Sequence, residues 1–82
     1  MSFFTYVLYS KEHNKYYTGM TSNLVRRLNE HNSGKTKSTK AYRPWKIIYQ
    51  EKYDSEVEAI RREKYLKGGS GREFLKSLIS PP

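Results

Sequence analysis

Apolar and polar blocks alternate along the first third of the chain with the spacing of a hairpin. The β-branched and aromatic run Phe3–Tyr9 predicts a strand, and Tyr16–Thr18 predicts a second strand that Gly19 ends. The polar residues Lys11–Lys15 lie between the two runs and predict a turn. Two strands joined by a short turn predict an antiparallel hairpin.

Helical spacing follows the hairpin. Leu24 and Leu28 are four residues apart, and Thr21–Asn23 offers three possible N-caps before them. This pattern predicts a helix of about two to three turns over residues 24–32. The next stretch, residues 35–43, is basic and has no periodicity, which predicts a loop.

The second half of the chain has the pattern of one strand followed by helices. Pro44 precedes the apolar run Trp45–Gln50, which predicts a third strand. Ser55 and Glu58 have capping-box spacing and predict the start of a helix that runs to about Lys67. A last short helix is predicted over Arg72–Ile79, with Phe74, Leu75, Leu78 and Ile79 on one side.

The predicted order, β-β-α-β-α-α, indicates an α+β fold with a small three-stranded antiparallel sheet flanked by helices. A chain of 82 residues allows one domain, so we expect residues 1–82 to form a single domain. The absence of cysteine excludes disulfides and thiolate metal sites. The N-terminus has neither a basic leader nor a long apolar run, so we expect a cytoplasmic protein without a membrane span.

Charge indicates a class of partner. The chain has 16 Lys and Arg residues against 8 Asp and Glu, and its net charge is +8. Such a field favours polyanions, and nucleic acid is the commonest of these. A merely soluble basic surface, or an acidic protein or lipid partner, is the alternative. Five cations fall close together without an intervening acid, and we expect them to contact phosphates unless they form a plain solvated loop: Lys35, Lys37, Lys40, Arg43 and Lys46.

One carboxylate of the second predicted helix points toward the core. At 100° per residue, Glu63 falls between Ala59 and Ile60, in the middle of the apolar arc. A carboxylate in that position costs free energy unless it is paired or binds a cation. A buried-edge ion pair with a neighbouring Arg or Lys and a functional role explain the pattern about equally well.

The first predicted helix carries two polar residues near its apolar face. Arg27 and His31 are four residues apart and lie in the same arc as Leu24 and Leu28, so they project side by side. One interpretation is that they clasp a phosphate. In the other, the stem of Arg27 covers the core and His31 bonds to the backbone, and for His31 alone this structural role is favoured.

Tyrosines crowd the predicted hairpin. Tyr16 and Tyr17 are adjacent and should lie on opposite faces of the sheet. Any one of these tyrosines more commonly packs its ring in the core and leaves its hydroxyl in contact with water. Other enzyme signatures are missing from the sequence: it has no glycine-rich phosphate loop, no Cys or Ser nucleophile motif and no histidine pair at zinc-binding spacing.

These residues together resemble the GIY-YIG endonuclease superfamily. Phe4-Thr5-Tyr6, followed ten residues later by Tyr16 and then by Tyr17-Thr18-Gly19, is similar to the paired tripeptides that name it. Residues 23–34 are similar to the first helix of that superfamily, with its arginine. Glu58–Glu63 resembles the helix that carries the metal-binding glutamate. The resemblance covers nearly the whole chain and is closest to the small stand-alone bacterial members.

The resemblance implies hydrolysis of a phosphodiester bond in nucleic acid, with DNA favoured, by one divalent ion, Mg²⁺ or Mn²⁺. It implies that Tyr17 activates the attacking water, that Tyr6 assists through a hydrogen bond, and that Arg27 holds the phosphate. A single carboxylate suffices as the metal ligand, because Mg²⁺ keeps several waters. The remaining residues that it assigns are the metal ligand Glu63, the catalytic-site histidine His31 and the motif glycine Gly19. We therefore expect the two tyrosines, the arginine and the glutamate to converge on one surface.

Two other functions stay open at this point. Met20 and Leu75 stand where many members carry a Lys or other polar residue and an Asn, respectively. A nucleic-acid-binding module that kept the fold but has weak catalysis or none is therefore the alternative. A basic protein-interaction domain without nucleic acid is the third hypothesis. DNA and RNA both remain open as substrates.

Overall fold

The computed structural model describes residues 1–79 and contains the predicted elements in the predicted order. They are β1 Phe3–Ser10, β2 Lys15–Thr21, α1 Leu24–Asn32, β3 Lys46–Tyr53, α2 Glu56–Lys67 and α3 Gly69–Ile79. The strands form one antiparallel sheet in the order β2-β1-β3, so β1 is central and the other two are edges. The predicted α+β fold and the hairpin are confirmed. No helix within the described residues is long and apolar enough to cross a membrane.

The second strand extends farther than predicted. β2 continues through Gly19 to Thr21, and Gly19 pairs with Tyr6 of β1. A Cβ atom on Gly19 would lie 2.6 Å from the hydroxyl oxygen of Tyr6. The glycine therefore allows close packing over the strand rather than ending it, and the prediction of a stop at this position was wrong.

Both faces of the sheet are covered. On the α1 face, Tyr6, Leu8 and Trp45 are buried, with partly buried neighbours Tyr17, Leu24, Leu28 and Ile47. On the other face, Val7, Leu66 and Leu75 are buried against α2 and α3, with partly buried neighbours Tyr16, Ile48, Tyr49 and Phe74. The adjacent rings of Tyr16 and Tyr17 thus lie on opposite faces, as predicted.

The third strand differs from its prediction in length and regularity. It ends at Tyr53 instead of Gln50. Val7 of β1 pairs with Tyr49 and Leu8 pairs with Ile47, which leaves Ile48 as the extra residue of a bulge. The bulge turns Ile48 toward the same core cluster as Tyr49.

Helix α2 ends at Lys67 as predicted, but its start is not a capping box. Ser55 is the N-cap and its side chain makes no capping hydrogen bond. Instead, the negative charges of Glu56 and Glu58 in the first turn stabilise the helix, because they lie near the positive end of its dipole. The hydroxyl of Thr5 on β1 donates a buried 2.7 Å hydrogen bond to the carbonyl of Ala59, which fixes the helix to the central strand.

Helix α3 begins at Gly69 rather than at Arg72. A Cβ atom on Gly71 would lie 2.4 Å from the Cα of Leu66, so a glycine there lets the first turn of α3 touch the end of α2. Of the predicted apolar side, Leu75 is buried and Phe74 is half-buried, whereas Leu78 is 40% exposed. The side chain of Ile79 lies outside what the structure describes.

Candidate active site

Side chains from β1, β2 and α1 meet on one face of the sheet. The ring centroids of Tyr6 and Tyr17 are 6.4 Å apart. The ring of His31 lies 4.8 Å from that of Tyr17 and 6.0 Å from that of Tyr6. Gly19 completes what we call the tyrosine group, namely Tyr6, Tyr17, Gly19 and His31. A Cβ atom on Gly19 would lie 2.8 Å from Cζ of Tyr6 and 3.2 Å from Cε1 of Tyr17. The structure therefore brings four of the residues singled out in the sequence into contact.

His31 is fully buried, and both of its ring nitrogens are hydrogen-bonded. Nε2 lies 3.0 Å from the hydroxyl of Tyr6, and Nδ1 lies 2.8 Å from Oγ1 of Thr39. The hydroxyl of Thr39 donates its one hydrogen to the carbonyl of Thr36. With that donor, Nδ1 of His31 donates to Thr39 and Nε2 accepts from Tyr6, an assignment that satisfies all of these groups.

The imidazole of His31 is uncharged at neutral pH. Burial, together with the smaller effect of the positive charge of Arg27, lowers its pKa to about 4. A ring that is fully buried, with both nitrogens bonded to protein hydroxyls, is not open to a phosphate, so the interpretation of Arg27 and His31 as a joint clasp was wrong. The alternative of a backbone-bonded histidine was also wrong, because the partners of His31 are two side-chain hydroxyls.

Tyr6 is a buried donor at the centre of the group. Its side chain is 2% exposed, and burial raises the pKa of its hydroxyl. The guanidinium of Arg27 opposes this rise in the pKa, and the negative charge of Glu63 adds to it. The hydroxyl of Tyr6 is therefore protonated at neutral pH and remains available as the donor to His31.

Arg27 lies beside both tyrosines at the surface of the group. Its side chain is 33% exposed, and its Nη1 donates to Oε1 of Glu30 at 3.0 Å. That hydrogen bond is the main cause of the raised pKa of Arg27, and the hydroxyls of Tyr6 and Tyr17 raise it further. Because a guanidinium has five N–H donors, Arg27 keeps several for an anion.

Glu63 belongs to α2, a different element from those that carry the tyrosines and Arg27. α2 packs on the face opposite α1, and its Arg62 donates from Nε to Oε1 of Glu51 on the edge strand β3 at 2.9 Å. The charge of Glu63 reaches Tyr6, because it contributes to the raised pKa of that hydroxyl.

The bonded partner of Glu63 is a lysine. Nζ of Lys67, one turn farther along α2, donates to Oε2 of Glu63 at 2.7 Å. Tyr6, Tyr17 and Arg27 lie together, and an ion pair with Lys67 holds the carboxylate of Glu63. Convergence of Glu63 with these residues on one surface stays a prediction.

A divalent cation bound at the carboxylate of Glu63 would have few other ligands from the protein. Among residues 1–79, no three or more His, Cys, Asp and Glu side chains converge as a metal-binding group. Mg²⁺ and its chemical relatives bind through one or two carboxylates, several waters and substrate phosphates. The single carboxylate of Glu63 fits a hydrated ion of that kind and does not fit an all-protein cage.

The basic loop, residues 33–45, is anchored directly behind the tyrosines. The side-chain amide of Asn32 accepts from the backbone N–H of Trp45 at 2.7 Å and donates to its carbonyl at 3.0 Å, which closes the base of the loop. The carbonyl of Thr39 accepts from the indole of Trp45 at 2.8 Å, while the side chain of Thr39 bonds His31. The loop also contains a short 3-10 turn, Lys40–Tyr42, which its sequence did not predict.

The five predicted phosphate-binding cations all lie exposed on or next to this loop: Lys35, Lys37, Lys40, Arg43 and Lys46. Nε of Arg43 donates to the carbonyl of Lys40 at 2.9 Å. The loop contacts His31 through Thr39. Their contact with phosphates stays a prediction.

Sequence reasoning missed two residues of this region. Lys67 had a visible signal, because it follows Glu63 by four residues and such pairs face each other on a helix. Thr39 had no comparable signal, since its bond to His31 depends on how the loop closes.

Comparisons with known proteins agree with the fold. Residues 2–76 match the family model described as the GIY-YIG catalytic domain. The UPF0213 protein of Staphylococcus haemolyticus (strain JCSC1435) is 41% identical over 76 residues, which are 92% of this chain and 92% of that protein. The UPF0213 protein of Syntrophus aciditrophicus (strain SB) is 43% identical over 68 residues, 80% of this chain and 78% of its own.

A solved structure is similar as well. The solution NMR structure of a UPF0213 protein from Bacillus halodurans matches with a TM-score of 0.57 and 33% sequence identity, and the match covers 100% of this chain and 89% of that one. The family match extends over nearly the whole chain, including both tyrosines, the arginine and the glutamate. The chain belongs to the GIY-YIG family.

Proposed function

We propose that this protein hydrolyses phosphodiester bonds of nucleic acid, with DNA as the favoured substrate. Membership in the GIY-YIG family supports a nuclease-type function. The observation that supports catalysis by this chain is the hydrogen bond from Tyr6 to a neutral, buried His31, with Tyr17 and Arg27 beside it. The geometry presents one half-buried tyrosine and one guanidinium to an approaching phosphate.

In this proposal each residue has one task. Arg27 binds the scissile phosphate and offsets the charge that builds on its oxygens. Tyr17, as the phenolate that remains after its own proton is lost to solvent, accepts the proton of the attacking water, and the positive charge of Arg27 favours this ionised form. Tyr6 is a positioning residue, since its hydroxyl is held by His31 and its ring packs beside Tyr17.

Glu63 would hold the divalent ion, Mg²⁺ or Mn²⁺, together with oxygens of the substrate. Bound there, the ion would supply positive charge to the phosphate during displacement. Lys67 bonds one of the two oxygens of this carboxylate, Oε2. In this proposal its ammonium competes with the ion for the charge of Glu63, so the ion pair weakens metal binding until it opens.

The alternative is a nucleic-acid-binding module with weak catalysis or none, and one observation favours it. Leu75 stands where many members of the family carry an Asn, and it is 2% exposed in the core between α2 and α3. This chain thus offers no second polar ligand at that position. The net charge of +8 favours binding of nucleic acid whether or not the protein cleaves it.

Cleavage assays test the proposal. Labelled branched and linear DNA, and RNA of the same sequences, are incubated with the protein in Mg²⁺, in Mn²⁺ or in EDTA. We expect cleavage only with metal, and its loss in Tyr17→Phe and in Glu63→Gln. The controls are Tyr65→Phe and Glu58→Gln, which alter exposed residues of the same types on α2.

Two outcomes would contradict the proposal. Cleavage at the wild-type rate by folded Glu63→Gln protein in Mg²⁺ would remove the metal assignment. If the wild type cleaves none of these nucleic acids but binds them, the binding module becomes the leading function.

A further inference from the structure

A cleft opens at the edge of the sheet beside Tyr17. It lies between β2, the end of α2 and the first turns of α3, and its volume is about 590 Å³. This volume falls in the range of about 300–1,000 Å³ that ligand sites occupy. Four of its lining residues are cations, namely Lys15, Lys67, Arg72 and Lys76, and none of its lining residues is acidic.

The cleft is continuous with the tyrosine group. Tyr17 lines the cleft and also lies 4.8 Å, centroid to centroid, from His31 on the other side. Lys67 lines the cleft while its ammonium bonds Glu63. An anion in the cleft would therefore lie next to both the proposed proton acceptor and the proposed metal ligand.

The cleft also continues toward the basic loop. Lys15 lines the cleft, and its ammonium lies 5.4 Å from the ring centroid of Tyr42 in the loop. His13 of the hairpin turn packs edge-on against the same ring at 5.5 Å. The hairpin turn thus joins two basic surfaces, and Tyr17 lies on the edge strand between them.

We propose that this cleft is a second binding surface for backbone phosphates of the nucleic-acid substrate. The inference rests on the proposed function and extends it. A strand that crosses Tyr17 would place phosphates on the basic loop on one side and in the cleft on the other. Lys67 then exchanges Glu63 for a phosphate, so that binding of the strand frees the carboxylate.

The arrangement of cations favours a chain of phosphates over a compact anion. Arg72 and Lys76 are four residues apart on α3 and face the cleft together. Lys15 lines the cleft from the hairpin, on a different element. A linear polyanion can contact both sets, whereas one small anion is confined to one of them.

Binding in EDTA, followed by fluorescence anisotropy over a range of salt concentrations, tests this surface. Arg72→Gln/Lys76→Gln removes two charges from the cleft. Arg61→Gln/Lys64→Gln is the matched control, because it removes an Arg and a Lys from the outer side of α2 without touching the cleft. Each lost phosphate contact should flatten the log–log salt slope for duplex DNA by about 0.9.

We expect the cleft variant to flatten the slope by about two units and the control variant to leave it near the wild-type value. Thermal unfolding of both variants establishes that α3 still folds, and Lys15→Gln reports on the cleft without altering that helix. Equal slopes in the cleft and control variants would overturn the inference. It would also be overturned if inorganic phosphate or an acidic peptide at matched charge concentration displaces the strand as effectively as unlabelled DNA does.

The two proposals fail in different ways. A wild-type protein that cleaves DNA, with equal slopes in both double variants, removes the cleft and leaves the catalytic proposal intact. If the salt slopes of the cleft and control variants differ but the wild type cleaves no nucleic acid, the catalytic proposal is wrong and the cleft remains a binding surface.

Discussion

At the residue scale, the positions of the Tyr6 and Tyr17 rings depend on the absence of a side chain at Gly19. Tyr6 cannot move away from Gly19 easily, because it is 2% exposed and its hydroxyl is held by His31. The ring of Tyr17 borders the same space. Gly19 is therefore the position at which the smallest substitution disturbs the candidate site most.

We expect Gly19→Ala to lower the free energy of unfolding by about 1–3 kcal/mol, the usual cost of overpacking. The added Cβ would lie 2.6 Å from the hydroxyl oxygen of Tyr6. Gly69→Ala is the matched control, since a Cβ there meets no atom within 4 Å. Urea unfolding of both variants measures the difference. Equal stability of the two would show that the Tyr6 ring is not confined.

His31 gives the protein a proton-linked loss of stability. Because the folded state holds its pKa near about 4, and an unfolded histidine titrates near about 6.5, the unfolded chain binds the extra proton between these values. Stability should therefore fall as pH is lowered through this window, by up to about 1.4 kcal/mol per pH unit from this group. Above pH 6.5 the effect is absent.

Urea unfolding between pH 7 and pH 4 measures this slope. Carboxylates titrate in the same range, so the difference between wild type and His31→Gln isolates the histidine. His13→Gln, at an exposed position in the hairpin turn, controls for loss of a histidine. Parallel pH profiles for wild type and His31→Gln would contradict a buried neutral imidazole.

At the element scale, local patterns were sufficient for most of the fold. The period of the apolar residues predicted the order of strands and helices, because each element buries one face. Tyr16 and Tyr17 lie on opposite faces, as alternation requires. One error occurred where Gly19 was taken as the end of β2. Gly19 instead allows close contact with Tyr6, and Gly71 allows the first turn of α3 to touch α2; both contacts arise only from packing between elements.

The candidate site was only partly predictable for the same reason. Helix periodicity placed Arg27 and His31 side by side on α1, but not the hydroxyls that enclose the imidazole. Thr39 comes from a loop without periodicity, so its contact depends on closure by Asn32 and Trp45. The apolar-arc position of Glu63 was visible, whereas its distance from the tyrosines depends on the sheet lying between α1 and α2.

The ion pair within α2 leads to a prediction about metal affinity. Removing the ammonium of Lys67 leaves the carboxylate of Glu63 without its 2.7 Å partner. Since a partly exposed ion pair of this kind contributes up to about 1 kcal/mol, Lys67→Met should bind Mn²⁺ about fivefold more tightly without nucleic acid. Electron paramagnetic resonance of free Mn²⁺ measures this affinity.

Two variants control this measurement. Lys64→Met removes an ammonium from the outer side of the same helix and should leave Mn²⁺ affinity near the wild-type value. Glu63→Gln/Lys67→Met should lose the gain. If that double variant binds Mn²⁺ as tightly as Lys67→Met does, the metal is bound elsewhere.

At the scale of the whole molecule, positive charge surrounds the candidate site on two sides. The basic loop lies behind His31, and the cleft lies beyond Tyr17. The acids nearest the tyrosine group are already engaged, Glu30 by Arg27 and Glu63 by Lys67. The charges left to face a ligand are therefore mainly positive, which suits a strand that passes over the β2 edge.

The basic loop should carry a measurable share of this binding. In Lys35→Gln/Lys37→Gln/Lys40→Gln, we expect the log–log salt slope of duplex DNA binding to flatten by roughly two to three units, because each phosphate contact contributes about 0.9. Arg43 is left unchanged, since its bond to the carbonyl of Lys40 holds the turn. Anisotropy titrations in EDTA separate binding from cleavage.

The control for the loop variant removes the same number of charges from other surfaces, as Lys52→Gln/Arg61→Gln/Lys64→Gln, at three exposed positions on β3 and α2. If affinity depends only on the net charge of the protein, both triple variants should flatten the slope equally. If phosphates contact the loop, only the loop variant should do so. If the salt slope of the loop variant stays at the wild-type value, residues 33–45 make no phosphate contacts and are a plain solvated loop. Binding would then depend on the cleft and Arg27, and combining the loop and cleft substitutions should flatten the slope no more than the cleft substitutions alone.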